Sequence, residues 1–185
     1  MPAMPEVMAR GVPEPLWKFA LESCGIPSGA VLMLPGNKLP EPARQLLVHH
    51  RDMTSTLATH HGSALRVEIL HQHDVGEVYL REVFLRTIAG DRIVEYGIIA
   101  IVLEQFSAPQ QAAIRAGRTP LGGVLHRFKI PFESSPIGFF SVAAARLPET
   151  RRLGFNGSPC HGRFNRISKP TGEPLAWIME ILPPA

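Results

Sequence analysis

The stretch Leu175-Ala-Trp-Ile-Met-Glu-Ile-Leu182 is apolar at every position but one, the carboxylate Glu180. At strand spacing Glu180 shares a face with Ala176, Ile178 and Leu182, while Trp177, Met179 and Ile181 take the other. Neither face reads as a solvent face, so the segment is an interior strand carrying an acid out of bulk water. A buried carboxylate requires a cation, hydrogen-bond donors or a proton. Glu180 is therefore the first candidate for chemistry.

Working outward, Val78-Tyr-Leu-Arg-Glu-Val-Phe-Leu85 is a second strand rich in β-branched and aromatic residues. Arg81 lies on one face with Tyr79, Val83 and Leu85, again an ion in apolar company. Arginine keeps its charge in a protein, and its planar fork matches a carboxylate. Three readings stand side by side. Arg81 and Glu180 line a pocket for an anion, form a buried structural pair, or stand where one face is simply solvated.

The chain of 185 residues, 45% hydrophobic, is long enough for one substantial core, and a single domain over 1–185 is expected. A Pro-rich extension with one short helix occupies 1–40. No apolar run reaches the about 18 residues of a membrane span. The N-terminus Met1-Pro-Ala-Met-Pro-Glu-Val-Met8 lacks the basic-then-apolar pattern of a signal peptide. Cys24 and Cys160 stand far apart without a Cys-x-x-Cys, as expected of reduced thiols. A cytoplasmic monomer is the expectation.

The net charge of +3 hides an asymmetry: residues 1–114 carry −3 and residues 115–185 carry +6. The basic residues of the second part are dispersed and form no compact stripe with interleaved aromatics, which excludes a recognisable nucleic-acid interface. A positive lobe that attracts a small anion accounts for the charge, and so does a solvated surface.

Periodicity places helices at Glu14–Cys24, Ala43–His50 and Met53–His61, the last closed by Gly62. Strands follow at Leu65–His73, Glu77–Arg86 and Arg92–Glu104, joined by turn-like links as an antiparallel meander. Ser107 and Thr119-Pro120 each start a helix, ending near Ala116 and His126. Later strands are expected at Phe128–Phe132, Ile137–Arg146, Gly162–Ser168 and Leu175–Ile181. The fold class is α+β: an antiparallel sheet with helices packed on one side.

Other candidates are weaker. The helix starts at Asp52-Met-Thr54 and Thr119-Pro-Leu-Gly122 expose backbone N–H groups that can bind an anion, as every helix start does. Six of the eight histidines lie between residues 49 and 73, and His71 and His73 share a strand face. No carboxylate or cysteine pattern completes a metal site there. A phosphate loop, a Gly-x-Ser-x-Gly elbow and a His-Glu-x-x-His motif are all missing.

Four blocks resemble, in order, the chorismate pyruvate-lyases and relatives of the chorismate lyase-like fold. They are Leu46-Leu-Val-His-His-Arg-Asp-Met-Thr54; the Arg81 strand; Phe106-Ser-Ala-Pro with Gly117-Arg-Thr-Pro-Leu-Gly122; and His161-Gly-Arg163 with Gly172-Glu-Pro-Leu and Met179-Glu-Ile-Leu-Pro183. The resemblance implies a cofactor-free enzyme that eliminates pyruvate from chorismate, a small anionic substrate, to leave 4-hydroxybenzoate. It implies helical flaps around Met53 and Leu121 over an internal pocket, and assigns Arg81 to the ring carboxylate, Glu180 to the hydroxyl at the far end, and the backbone N–H groups of Met53 and Leu121 to further contacts. Glu180 could serve as a base, or positioning alone could suffice for an intramolecular elimination. Two departures affect the substrate. Ile98 follows Gly97 where better-known members have arginine, and His161 stands where they tend to have an aromatic. A non-catalytic effector-binding domain of the same fold is the alternative, as is a sister lyase with another substrate or product.

Overall fold

The computed structural model describes residues 11–27, 29–147 and 158–184. Residues 1–10 of the expected extension, and Arg151 and Arg152 of the basic set, lie outside them.

Seven antiparallel strands form one sheet: β1 Val31–Leu34, β2 Leu65–Val75, β3 Val78–Thr87, β4 Ile93–Val102, β5 Glu133–Ala143, β6 Pro159–Ser168 and β7 Pro174–Leu182. Their order is β1-β5-β6-β7-β4-β3-β2. Two meanders, β2–β3–β4 and β5–β6–β7, therefore join through the β4–β7 pair at the centre of the sheet. The turn from β2 to β3 is a tight one between Val75 and Val78, and Gly76 takes the positive φ of 56° that it needs.

Five α-helices accompany the sheet among the described residues: α1 Glu14–Glu22, α2 Ala43–Leu47, α3 Met53–His61, α4 Ala108–Arg115 and α5 Leu121–Arg127. Each follows from local chemistry. Asp52 caps α3 by accepting the Ser55 N–H at 2.8 Å, and Gly62 ends that helix at φ 59°. Gln110 folds back to accept the Ser107 N–H at 2.8 Å at the start of α4.

Alternation along the strands separates two cores. Leu80, Phe84, Tyr96, Ile98, Phe164 and Met179 face one way and meet Leu16, Trp17, Phe19 and Ala20 of α1. On the other face, α4 and α5 cover Tyr79, Ile99 and Ile101, while α2 and α3 cover Val83, Leu85 and Leu182.

The antiparallel α+β architecture is as the sequence implies, with three differences of detail. Four helices share one side as expected, but α1 covers the opposite face, because its buried residues at i, i+1, i+3 and i+4 make an apolar stripe that suits the open side of the sheet. The segment that reads as an extension therefore contributes α1 and the edge strand β1. The expected strand Phe128–Phe132 is instead the turn after α5, with Lys129 at φ 51° and Ile130 N–H bonded to Leu125 O at 2.9 Å. Its alternating apolar residues pack on the α4–α5 core without a strand partner. No helix of the described residues is long and apolar enough to cross a membrane.

Candidate functional site

The site lies where the two meanders meet, on the face covered by four helices. Strand register sets its floor. Val83, Gly97, Glu180 and Arg163 lie opposite one another across β3, β4, β7 and β6. One step along, Arg81 pairs with Ile99, and Ile99 with Ile178. Arg81 and Glu180 thus sit two strand spacings apart and two residues out of line, about 12 Å, with β4 between them. At Gly97 the floor has no side chain. A Cβ there would lie 3.0 Å from Glu95 Oε1 and 3.2 Å from Val83 Cγ2, so the glycine keeps a hollow open between the two ions.

The roof is made by two helix N-termini, α3 with Asp52, Met53 and Thr54, and α5 with Pro120, Leu121 and Gly122. They touch. A Cβ on Gly122 would come within 2.9 Å of both Asp52 Oδ1 and Thr54 Oγ1. His126 of α5 reaches Asp52 Oδ2 at 3.2 Å and Ser55 Oγ at 3.3 Å, linking the two flaps. Met53 and Leu121 begin their helices, so their N–H groups have no partner inside them. Removing the Asp52 carboxylate takes away the α3 cap and this link. Asp52→Ala should cost about 1 kcal/mol and speed exchange of the α3 amides, measured by hydrogen exchange.

All four residues singled out from sequence, Met53, Arg81, Leu121 and Glu180, line one cavity of about 50 Å³. Arg81 and Glu180 are each 2% exposed. They do not form a pair. The partner of Glu180 is Arg163, fully buried, whose Nε donates to Oε2. Arg163 also donates from Nη1 to the carbonyls of Leu47 and His49, both at 3.0 Å, and from Nη2 to Arg51 O at 3.3 Å. It thereby fixes the connector that delivers the start of α3.

Arg81 is the opposite case. Its Nη1 donates to Ile114 O at 3.3 Å, its Nε has no acceptor, and no carboxylate among the described residues pairs with it. Burial lowers the guanidinium to about 10, against an upward push from Tyr79, and it stays cationic at neutral pH.

Sequence reasoning missed Arg163 as a partner and missed Glu95 altogether. Glu95 on β4 lines the cavity at 4% exposure, and its Oε2 has no partner. Burial first, then the charge of Glu180, pushes its carboxyl well above the usual range, with Arg163 opposing. Glu180 is also raised by burial, but the charge and hydrogen bond of Arg163 hold it down. Arg163 opposes the rise at both carboxyls but bonds only Glu180, so Glu95 holds its proton the more tightly of the two.

A carboxyl with a raised folded-state pKa stabilises the fold fully below its unfolded value. That contribution is lost as pH rises through the folded value. Glu95→Gln should flatten this decline, and urea midpoints measured at rising pH above the ordinary carboxylate range should move apart in the variant's favour.

Three of the histidines make contacts within the fold. His49 meets Leu46 O, His50 meets Ser134 O, and His71 Nδ1 pairs with Glu82, which also accepts from Tyr96 on the α1 face. Among the described residues no three His, Cys, Asp or Glu side chains group to hold a metal.

No family model matches the chain, and no curated protein matches it. Solved structures do. PhnF from Mycobacterium smegmatis superposes with a TM-score of 0.55 at 13% identity, over 74% of this chain and 65% of PhnF. This chain thus spans less than two thirds of that protein. The ligand-binding domain of a protein assigned to the GntR family of transcriptional regulators from Bordetella bronchiseptica gives 0.46 at 16% identity, over 64% of this chain and 85% of its own. A protein described as a transcriptional regulator, YydK from Bacillus subtilis, gives 0.46 at 11% identity, over 98% of this chain and 85% of its own. At such identities the likeness to PhnF shows the fold alone. The chain is thus an α+β domain that shares its antiparallel-sheet fold with PhnF and holds a buried, cation-bearing cavity.

Proposed function

We propose that this chain binds a small, flat aromatic carboxylic acid, gripped by its carboxylate on Arg81. The observation that carries the reading is Arg81 itself, a guanidinium 2% exposed that lines a cavity and has no carboxylate partner among the described residues. A buried cation in this condition raises the energy of the empty protein, and an anion relieves it. The fork of Arg81 suits a bidentate pair with the acid. The free N–H groups of Met53 and Leu121 add positive potential from above. At the far end the carboxyls of Glu180 and Glu95 can exchange hydrogen bonds with a ring hydroxyl, so hydroxylated aryl acids such as 4-hydroxybenzoate fit best.

The cavity of about 50 Å³ is smaller than the ring needs. An engineered cavity that admits benzene measures about 150 Å³. The α3 and α5 flaps must therefore part and close over the ligand.

A second reading, lyase action on chorismate, is favoured by one specific feature, two buried carboxyls of unequal proton affinity lining the cavity at Glu95 and Glu180. In that reaction the ring loses a proton, the bond from the ring to the enolpyruvyl oxygen breaks, and the enolpyruvate leaves and becomes pyruvate. The ring becomes aromatic, so holding the dianion dry and oriented does most of the work.

Calorimetric titration with 4-hydroxybenzoate and chromatography after incubation with chorismate separate the readings. Binding without turnover supports the binding domain. Release of 4-hydroxybenzoate and pyruvate supports the lyase. Neither binding nor turnover overturns both.

A further inference from the structure

A second recess opens at the end of the sheet where β4 begins and β7 finishes, between α2, the last turn of α3 and the start of β6. It encloses about 670 Å³, within the range of about 300–1,000 Å³ of small-molecule pockets. The Arg81 cavity, at about 50 Å³, is far smaller.

Its lining is mixed, an apolar inner wall beside Glu41, His60, His61, Arg92, Ser158 and His161. Leu46, Leu57 and Leu182, all buried members of one core cluster, form the inner side. The polar groups stand at the mouth. Arg92 Nη2 meets His61 Nδ1 at 2.6 Å, so Nδ1 accepts and the ring proton lies on Nε2, a second donor beside the guanidinium. Burial, with Arg92 and His60 adding to it, holds His61 below the usual histidine range, which keeps this tautomer neutral at pH 7. The lining carboxylate, Glu41, is already engaged by Arg44 and by the Gln45 N–H at 3.2 Å. Arg92 has no carboxylate partner among the described residues.

We propose that this recess is a second binding site, for an aliphatic monocarboxylate whose chain lies along the leucine wall and whose head group meets Arg92 and His61. The chemistry differs from that at Arg81. There a buried fork and two carboxyls frame a flat hydroxylated ring. Here a single cation at the rim caps a roomy apolar space that offers a ring hydroxyl no acidic partner. The two sites share the α2–α3 layer but no charged residue.

Octanoate is the probe, titrated by calorimetry into the full chain, into Arg92→Ala and into Arg81→Met, with 1-octanol as the uncharged control. Octanoate should bind the wild type and Arg81→Met alike. Arg92→Ala should weaken it about tenfold, the scale of one charge-assisted contact, to the affinity of octanol for the wild type. Arg92 is exposed, so the variant keeps its fold; His61→Phe, which removes the second donor and the acceptor that holds Arg92 Nη2 but leaves the cation, should give a smaller loss. Equal octanoate affinity in Arg92→Ala and wild type, loss of binding in Arg81→Met, or no binding to the wild type would each overturn the proposal. Loss of 4-hydroxybenzoate binding in Arg81→Met with octanoate binding intact would show the two sites to be separate.

Discussion

Arg81→Met is expected to melt higher than the wild type while losing its affinity for 4-hydroxybenzoate by about a hundredfold or more, the scale of a buried charge-assisted pair. The two effects have one cause. In the empty protein the Arg81 guanidinium is 2% exposed, holds one backbone carbonyl and leaves Nε without an acceptor. Replacing it with an apolar side chain of similar length removes a desolvation cost of about 1–3 kcal/mol. For a chain of this size each kcal/mol corresponds to roughly 2–4 °C. The group that destabilises the free protein is the one that holds the ligand. Scanning calorimetry and titration on the same samples check both halves. A variant that melts lower and binds as before would show Arg81 to be structural.

Arg163→Met is expected to do the reverse, destabilising the protein by about 3–5 kcal/mol, because it strands a buried carboxylate. Glu180 loses its ion-pair partner, and the carbonyls of Leu47, His49 and Arg51 lose a shared donor. The connector ahead of α3 is then unanchored, so ligand binding should fall as well. Adding Glu180→Leu should restore much of the stability, since a matched apolar pair is tolerated where half an ion pair is not. It should not restore binding. Urea midpoints for the two single variants and the double form the cycle. Stability of Arg163→Met within about 1 kcal/mol of wild type would contradict the ion-pair account.

The contrast between the two arginines also shows what the chain reveals by itself. Glu180 is readable because it stands alone in an apolar strand, and Arg81 nearly so. The same rule applies to Glu95 in Ile93-Val-Glu-Tyr-Gly97 and to Glu82, both buried. Neighbouring charges at Arg92 and Arg81 blur it, making those segments look like ordinary alternation. The partner of Glu180 is set by register: Arg163 lies opposite it in β6–β7, a relation that no local pattern encodes. Helix positions were legible through caps, as at Asp52 and Gly62, because capping is local chemistry. Strand β1, four residues long and paired only with β5, carries too short a pattern to read. At Phe128–Phe132 the alternation misleads, because the residues pack on a helical core without joining the ladder. The side of the sheet taken by α1 depends on which face is left uncovered, a tertiary matter.

The most direct test is the Arg81 Nε–H resonance followed by nuclear magnetic resonance during titration with 4-hydroxybenzoate. Nε now lacks an acceptor, whereas Arg163 Nε is already committed to Glu180. A ligand carboxylate on the fork should move the Arg81 signal strongly downfield and protect it from exchange, leaving that of Arg163 nearly still. An unmoved Arg81 signal at saturating ligand, or a shift confined to Arg163, would contradict the account.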